Sequence, residues 1–389
     1  MPDANARVIL IRMRYATAFV ILVVACASVD QPPGLSGATI EVVNDTGTLR
    51  VIAPDYKMSF AANGIHLPDH LTVNDPALEL LGKEDCRENL VGVAVIPAIS
   101  VAAGTPSGAE PGAQHVRSEI MALLTGPAVV KIRVTFEVDY LCPATETVTG
   151  TIDFTMFPGG RIVREDIAIT PSTNPLAQHA SCGCQRSAPS PADLGVLSYW
   201  AFEPTHATQV QANGQAVTDG MLAACTIYPE VAIGVSWAEQ AAGTRYHPNT
   251  TASHVLDWTA GASSLAITPL SMTSAIQIAD TPDLPTTKCG DVLALLAAAP
   301  LQIGDTRLPS TDHDGIYRDP VIHTSAFEVK ALDEEVPSGF AISVDLGGAD
   351  RADLSGQIAT VQHEAGDRFL IVFRDGLSPG SAFTIEPRR

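Results

Sequence analysis

Basic residues are scarce in this chain. Of its 389 residues, 23 are Lys or Arg and 43 are Asp or Glu, a net charge of −20 at pH 7. A field of that sign repels phosphate backbones, which argues against nucleic-acid binding, and it opposes unaided capture of any polyanion. Long hydrophobic runs are also missing. The apolar stretch from Ala16 to Cys26 is well short of the roughly 20 residues that a membrane-crossing helix needs, and no second one appears. Catalytic signatures are absent too: there is no Gly-x-Ser-x-Gly elbow, no His-Glu-x-x-His pair and no glycine-rich phosphate loop. No repeat of fixed period is present. Helical patterns are few. The best, residues 291–297, is an apolar run so short that it suits a strand equally well.

What the chain does have begins near its N-terminus. Arg7, Arg12 and Arg14 precede the apolar stretch, small residues close it, and a Ser-, Pro- and Gly-bearing segment, 27–37, follows. A basic start, a short apolar core and small residues at a cut site form an export signal. Val23-Val24-Ala25-Cys26 resembles the lipobox of bacterial lipoproteins, in which the cysteine becomes the lipid-bearing first residue. The resemblance implies residues 1–25 as signal peptide, Cys26 as the lipidated residue, 26–37 as tether, and a membrane partner reached through the lipid. Ala27 is not the aspartate associated with inner-membrane retention, so the implied address is the outer membrane or periplasm of a Gram-negative cell. Three arginines and one aspartate lie within residues 1–25, so the remainder carries 20 basic and 42 acidic residues, a net −22.

Setting Cys26 aside leaves six cysteines: Cys86, Cys142, Cys182, Cys184, Cys225 and Cys289. An even number in an oxidising compartment reads as up to three disulfides, whose connectivity sequence does not resolve. A zinc site at Cys182, Cys184 and His179 lacks the usual spacing and a second ligand pair.

Beyond the tether, strands dominate. Residues 40–43 and 49–52 flank the turn-rich Asn44-Asp45-Thr46-Gly47 and predict a hairpin, and Tyr56 to Phe60 alternates apolar with polar. From Val130 to Tyr140 the alternation is strict. Val130, Ile132, Val134, Phe136, Val138 and Tyr140 fall on one face, while Lys131, Arg133, Thr135, Glu137 and Asp139 fall on the other. That pattern predicts a long strand with one buried and one wet face. A second strand ends at Phe157, Pro158-Gly159-Gly160 turns the chain, and residues 161–170 return. Later apolar segments, among them 231–235, 275–278, 327–329, 341–344 and 369–373, are strands of the same kind. The expected fold is all-β: a large antiparallel β-sandwich over residues 38–285, with 286–389 as a C-terminal β region of the same or a separate domain.

Thr125-Gly126-Pro127 leading into the 129–140 strand, followed by the Phe157-Pro158-Gly159-Gly160-Arg161-Ile162 hairpin, resembles the galactose-mutarotase-like supersandwich. The similarity spans residues 116–170 and extends more loosely over 38–100. It implies a supersandwich-like fold of the kind found in polysaccharide lyases and related carbohydrate-active proteins. No catalytic residue of those enzymes is matched.

Two segments could carry chemistry. Arg245-Tyr246-His247, with His254 and Trp258 after it, offers a cation, an acid and a base of the kinds a polysaccharide lyase needs, and an indole to stack on a sugar. The same residues are ordinary on a loop or a half-buried strand. Asp312-His313-Asp314-Gly315, with Asp319 close by, groups carboxylates around a turn as a calcium site does. It lacks the further ligands of an EF-hand loop, and an Asp-Gly turn in an acidic protein accounts for it. No cofactor is implied. The leading expectation is a lipid-anchored envelope protein that binds carbohydrate or another surface partner without catalysis. A polysaccharide-lyase-like enzyme and a purely structural surface lipoprotein are the alternatives.

Overall fold

The computed structural model describes residues 41–45, 48–60, 66–73, 78–81, 83–84, 87–91, 93–97, 113–140, 146–169, 196–202, 209–212, 215–216, 223–229, 231–237, 245–248, 256–261, 270–280 and 299–389. Cys26, Cys86, Cys142, Cys182, Cys184, Cys289, His254, the signal and tether segments and the 291–297 run lie outside them. Among the described residues the regular elements are all strands, and no helix is long and apolar enough to cross a membrane.

The predicted hairpin forms with Glu41 opposite Ile52 and Asp45 opposite Thr48, so its first strand runs two residues further than the sequence indicated. Asp45, expected in the turn, pairs in the ladder instead. Tyr56–Phe60, Pro68–Val73 and Leu78–Glu79 continue this meander into a five-stranded sheet. Its core face is set by the alternation itself: Tyr56, Met58 and Phe60 are buried, while Lys57 between them is exposed.

Against it lies a nine-stranded antiparallel sheet. Val130–Tyr140 occupies it over its full predicted length, between Ala113–Leu124 and Glu146–Met156. Arg161–Ile169 follows after the Pro158-Gly159-Gly160 turn. Gly159 and Gly160 adopt φ of 88° and 80°, a region open to glycine at little steric cost. At Gly160 a side chain would also strike the Ile278 carbonyl. Val130, Ile132, Val134, Ile152, Phe154, Met156 and Ile162 are fully buried on one face. Phe60 meets Phe154 edge-on at 5.5 Å, and the Tyr56 hydroxyl donates to the Phe157 carbonyl at 3.2 Å, joining the two sheets.

The other face departs from expectation. The face of the long strand that carries Lys131 and Arg133 was expected to be wet, yet Asp153 and Thr155, opposite those two residues on the neighbouring strand, are buried. The cover is the C-terminal region. Residues 299–389 build a sandwich from a five-stranded and a four-stranded sheet around Tyr317, Phe327, Phe340, Phe373 and Phe383. The four-stranded sheet has a second duty. Ile342, Val344, Phe369, Ile371 and Phe373 point into the sandwich core, whereas Ala341, Leu370 and Val372 pack with Ala128, Val129, Phe157 and Val163 of the long sheet. Burial on both faces explains why residues 369–373 read as an unbroken apolar run rather than an alternating one. The same sheet contains a parallel pairing, Ile316–Ile322 with Ala341–Asp345, while the remaining named strand pairs are antiparallel. Residues 37–389 form one compact unit.

Candidate functional site

A four-stranded sheet holds the first sequence-predicted group. Arg245–Pro248 pairs with Leu256–Gly261, which pairs with Val196–Phe202, which in turn pairs with Val93–Pro97. Register places Tyr246 opposite Trp258, and Trp258 opposite Trp200. Three aromatic residues therefore share one face as a row across adjacent strands, each step about 4.8 Å. Trp200 was missed in the sequence because it lies far from Trp258 along the chain. Its only local signal is the aromatic-rich Tyr199-Trp200-Ala201-Phe202.

The same strand geometry separates the predicted trio. Arg245 stands opposite Thr259 and His247 opposite Asp257, so both belong to the face that Tyr246 leaves. Successive residues of a strand alternate sides. His254 lies outside the described residues.

The acidic cluster resolves into ion pairs. Arg318 reaches Asp314 through two nitrogens, at 2.6 Å each, and Asp312 at 3.0 Å. Lys131 Nζ, on the long sheet, lies 3.5 Å from Asp314, 3.5 Å from Glu165 and 3.9 Å from Asp153. Asp153 is also held by Arg133 through two contacts of 2.7 Å. The chain of charges continues through Glu364, 3.7 Å from Arg318, to Ser343 and Arg368. Burial pushes the Asp314 carboxyl up, but its hydrogen bonds and charge pairing with Arg318 outweigh burial and hold it below the usual aspartate range. Glu165 goes the other way: burial raises it, Lys131 only partly offsets that, and Asp314 and Asp153 raise it further. Asp319 is engaged separately. Fully buried, it accepts from His323 Nε2 at 2.6 Å and from the Val321 amide at 3.0 Å, while the His323 ring stacks on Phe327. Asp312 and Asp314 thus have cationic partners supplied by the protein. Among the described residues no group of three or more His, Cys, Asp or Glu side chains is arranged to hold a metal ion.

Cys225 is buried on Ala223–Ile227, beside Ile227 and Ala232, and is disulfide-bonded. The other five candidate disulfide cysteines lie outside the described residues.

One feature was not foreseen. Where the C-terminal sandwich stops covering the long sheet, a groove of about 450 Å³ opens along the strand face that carries Thr135, Glu137, Thr149 and Thr151. Ser118, Arg117 and Glu119 close one side, and Ile167 and Ala168 the other. Of its lining, Thr135 and Glu137 were legible in the sequence, as part of the polar half of an alternating strand; the concavity depends on neighbours distant in sequence.

The chain matches no family model, and no curated protein matches it. Among solved structures it is similar to a chondroitin lyase, a baculovirus envelope protein, at 7% identity and a TM-score of 0.35. That superposition covers 90% of this chain but 54% of the lyase, so this chain spans about half the length of that enzyme.

Proposed function

We propose that this protein is a lipid-anchored component of the bacterial cell envelope that binds carbohydrate without catalysis. The observation that carries the reading is the row of Trp200, Trp258 and Tyr246 across three neighbouring strands. Aromatic faces are broad, rigid and apolar, with a polar edge, and a row of them can follow successive rings of a chain-like ligand. The lipobox-like Val23-Val24-Ala25-Cys26 supports the anchor, and a strongly acidic body on a short tether suits a soluble head held at a membrane surface. Cys225 and its disulfide suit an oxidising compartment.

The non-catalytic part rests on two points. No catalytic signature occurs in the sequence, and the strand carrying Arg245, Tyr246 and His247 divides them between two faces. The test is a panel of neutral and acidic glycans read by binding and by the absorbance of unsaturated uronate products. Binding without new absorbance, weakened in Trp258→Ala or Trp200→Ala, is the expected result. Product formation would overturn the non-catalytic reading, and binding unaffected by either variant would remove the aromatic row as the site.

A further inference from the structure

The groove on the outer face of the long sheet lies on different strands from the aromatic row, and its chemistry is different. We infer that it is a binding site for an uncharged, polyhydroxylated ligand, a neutral glycan segment; this rests on the carbohydrate reading above and narrows its ligand class.

Register lays out the floor. Thr135 stands opposite Thr151 on one neighbouring strand and Glu119 on the other; two residues along, Glu137 stands opposite Thr149 and Arg117. Neighbouring strands are about 4.8 Å apart, and residues i and i+2 about 7 Å. The floor is therefore a small lattice of polar groups. Each threonine hydroxyl donates one hydrogen bond and accepts others, the carboxylates accept, and the guanidinium donates. A sugar ring displays hydroxyls that do both, at neighbouring positions around its rim. The volume, about 450 Å³, falls in the range of small-ligand sites.

The wall opposite is shaped by a defect in the ladder. Asp166 pairs with Met272, but the next pairing joins Ile169 to Leu270, so three steps on one strand match two on its partner. An extra residue bends the strand. Within that bulge Ala168 has φ of 50°, a conformation uncommon for a residue with a side chain. Such strain persists where surrounding structure enforces it and clusters at ligand sites.

Charge sets the class of ligand. Arg117 is paired with Glu137, and Glu119 is a further carboxylate, so the charged side chains of the lining sum to −1. With the chain at −20 overall, a sulfated or uronate polymer is repelled. Phe136 turns its side chain into the core and is 5% exposed, which leaves Ile167 and Ala168 as the apolar side chains of the lining.

The experiment is titration calorimetry of the full chain in detergent, with cellohexaose, maltohexaose and laminarihexaose as neutral probes and a chondroitin hexasaccharide as the acidic one. Thr135→Val/Thr151→Val removes two hydroxyls while keeping the β-branched shape that strands favour. Thr149→Val changes an exposed position and serves where the double variant is poorly folded. Binding of at least one neutral probe, about tenfold weaker in these variants, is expected. Unchanged affinity in the valine variants, with loss in Trp258→Ala, overturns the groove and leaves the carbohydrate reading standing. Preference for the chondroitin probe overturns the ligand class. No binding of any probe by the unsubstituted chain overturns both.

Discussion

Gln362 Oε1 accepts a hydrogen bond from the Val129 amide at 2.9 Å, and a second from the Ala128 amide at 3.0 Å, across more than 230 positions of sequence. It thereby satisfies two buried donors just before the long strand begins and ties the C-terminal sandwich to the long sheet. Gly126 belongs to this contact, because a Cβ there would stand 2.3 Å from the Gln362 side chain. Gln362→Leu is expected to cost about 3 kcal/mol, since two buried amides lose their acceptor. Gly126→Ala is expected to destabilise as well, and much less so in the Gln362→Leu background. Urea unfolding of the two single variants and the double would check this; additive costs would mean the contact is not shared.

The strand over 369–373 supplies a second prediction. Leu370 faces the long sheet and Ile371 the sandwich core, both fully buried. Leu370→Ala and Ile371→Ala are each expected to cost roughly 2–5 kcal/mol in denaturant unfolding. A cost confined to Ile371 would mean that the sandwich does not pack on the long sheet through this strand.

The ion-pair network predicts opposite pH responses at two carboxylates. Asp314 is held below its ordinary value, so its stabilising contribution is present above the unfolded aspartate pKa and is lost as pH falls through the folded one. Glu165 is raised, so its contribution is present below the unfolded glutamate pKa and is lost as pH rises through the folded one. Glu165→Gln is therefore expected to be at least as stable as the natural protein at neutral pH, with the advantage vanishing in acid. Asp314→Asn is expected to lose stability at neutral pH and little in strong acid. Thermal unfolding from mildly acidic to neutral pH would show it; a Glu165→Gln variant that is least stable at neutral pH would contradict it.

Arg318 decides the fate of the Asp312–Asp314 turn. Arg318→Ala leaves the buried Asp314 with Lys131, at 3.5 Å, as its remaining ion-pair partner among the described residues and is expected to cost about 2 kcal/mol, less than a fully buried pair because Arg318 is partly exposed. Calcium or EDTA is expected to leave the melting temperature of the natural protein unchanged. A calcium-dependent rise in melting temperature would restore these carboxylates as metal ligands.

At the other end of the chain, labelled palmitate is expected to attach to the natural protein and not to Cys26→Ser. Equal labelling of both would end the lipid-anchor proposal.

Much of the fold was written in period and punctuation. The long strand came out with the boundaries its alternation marked, Val130 to Tyr140, because a pleated chain sends successive side chains to opposite sides and the apolar set must share one. The Pro158-Gly159-Gly160 turn was legible for a similar local reason. The face carrying Asp153 and Thr155 was misread as wet, because alternation tells polar from apolar and says nothing of a distant sandwich settling on the polar side. At the candidate sites, Tyr246 and Trp258 could be named singly. Their alignment with Trp200 needed the pairing register.

By itself, then, the sequence determined that this chain is made of strands, which residues share a face of each, and where the tightest turns lie. These are short-range consequences of backbone geometry. Tertiary structure alone decided which carboxylate meets which cation, which polar face is covered and which stays open as a groove. Those outcomes depend on the order in which strands join their sheets, which brings together residues that local patterning never relates.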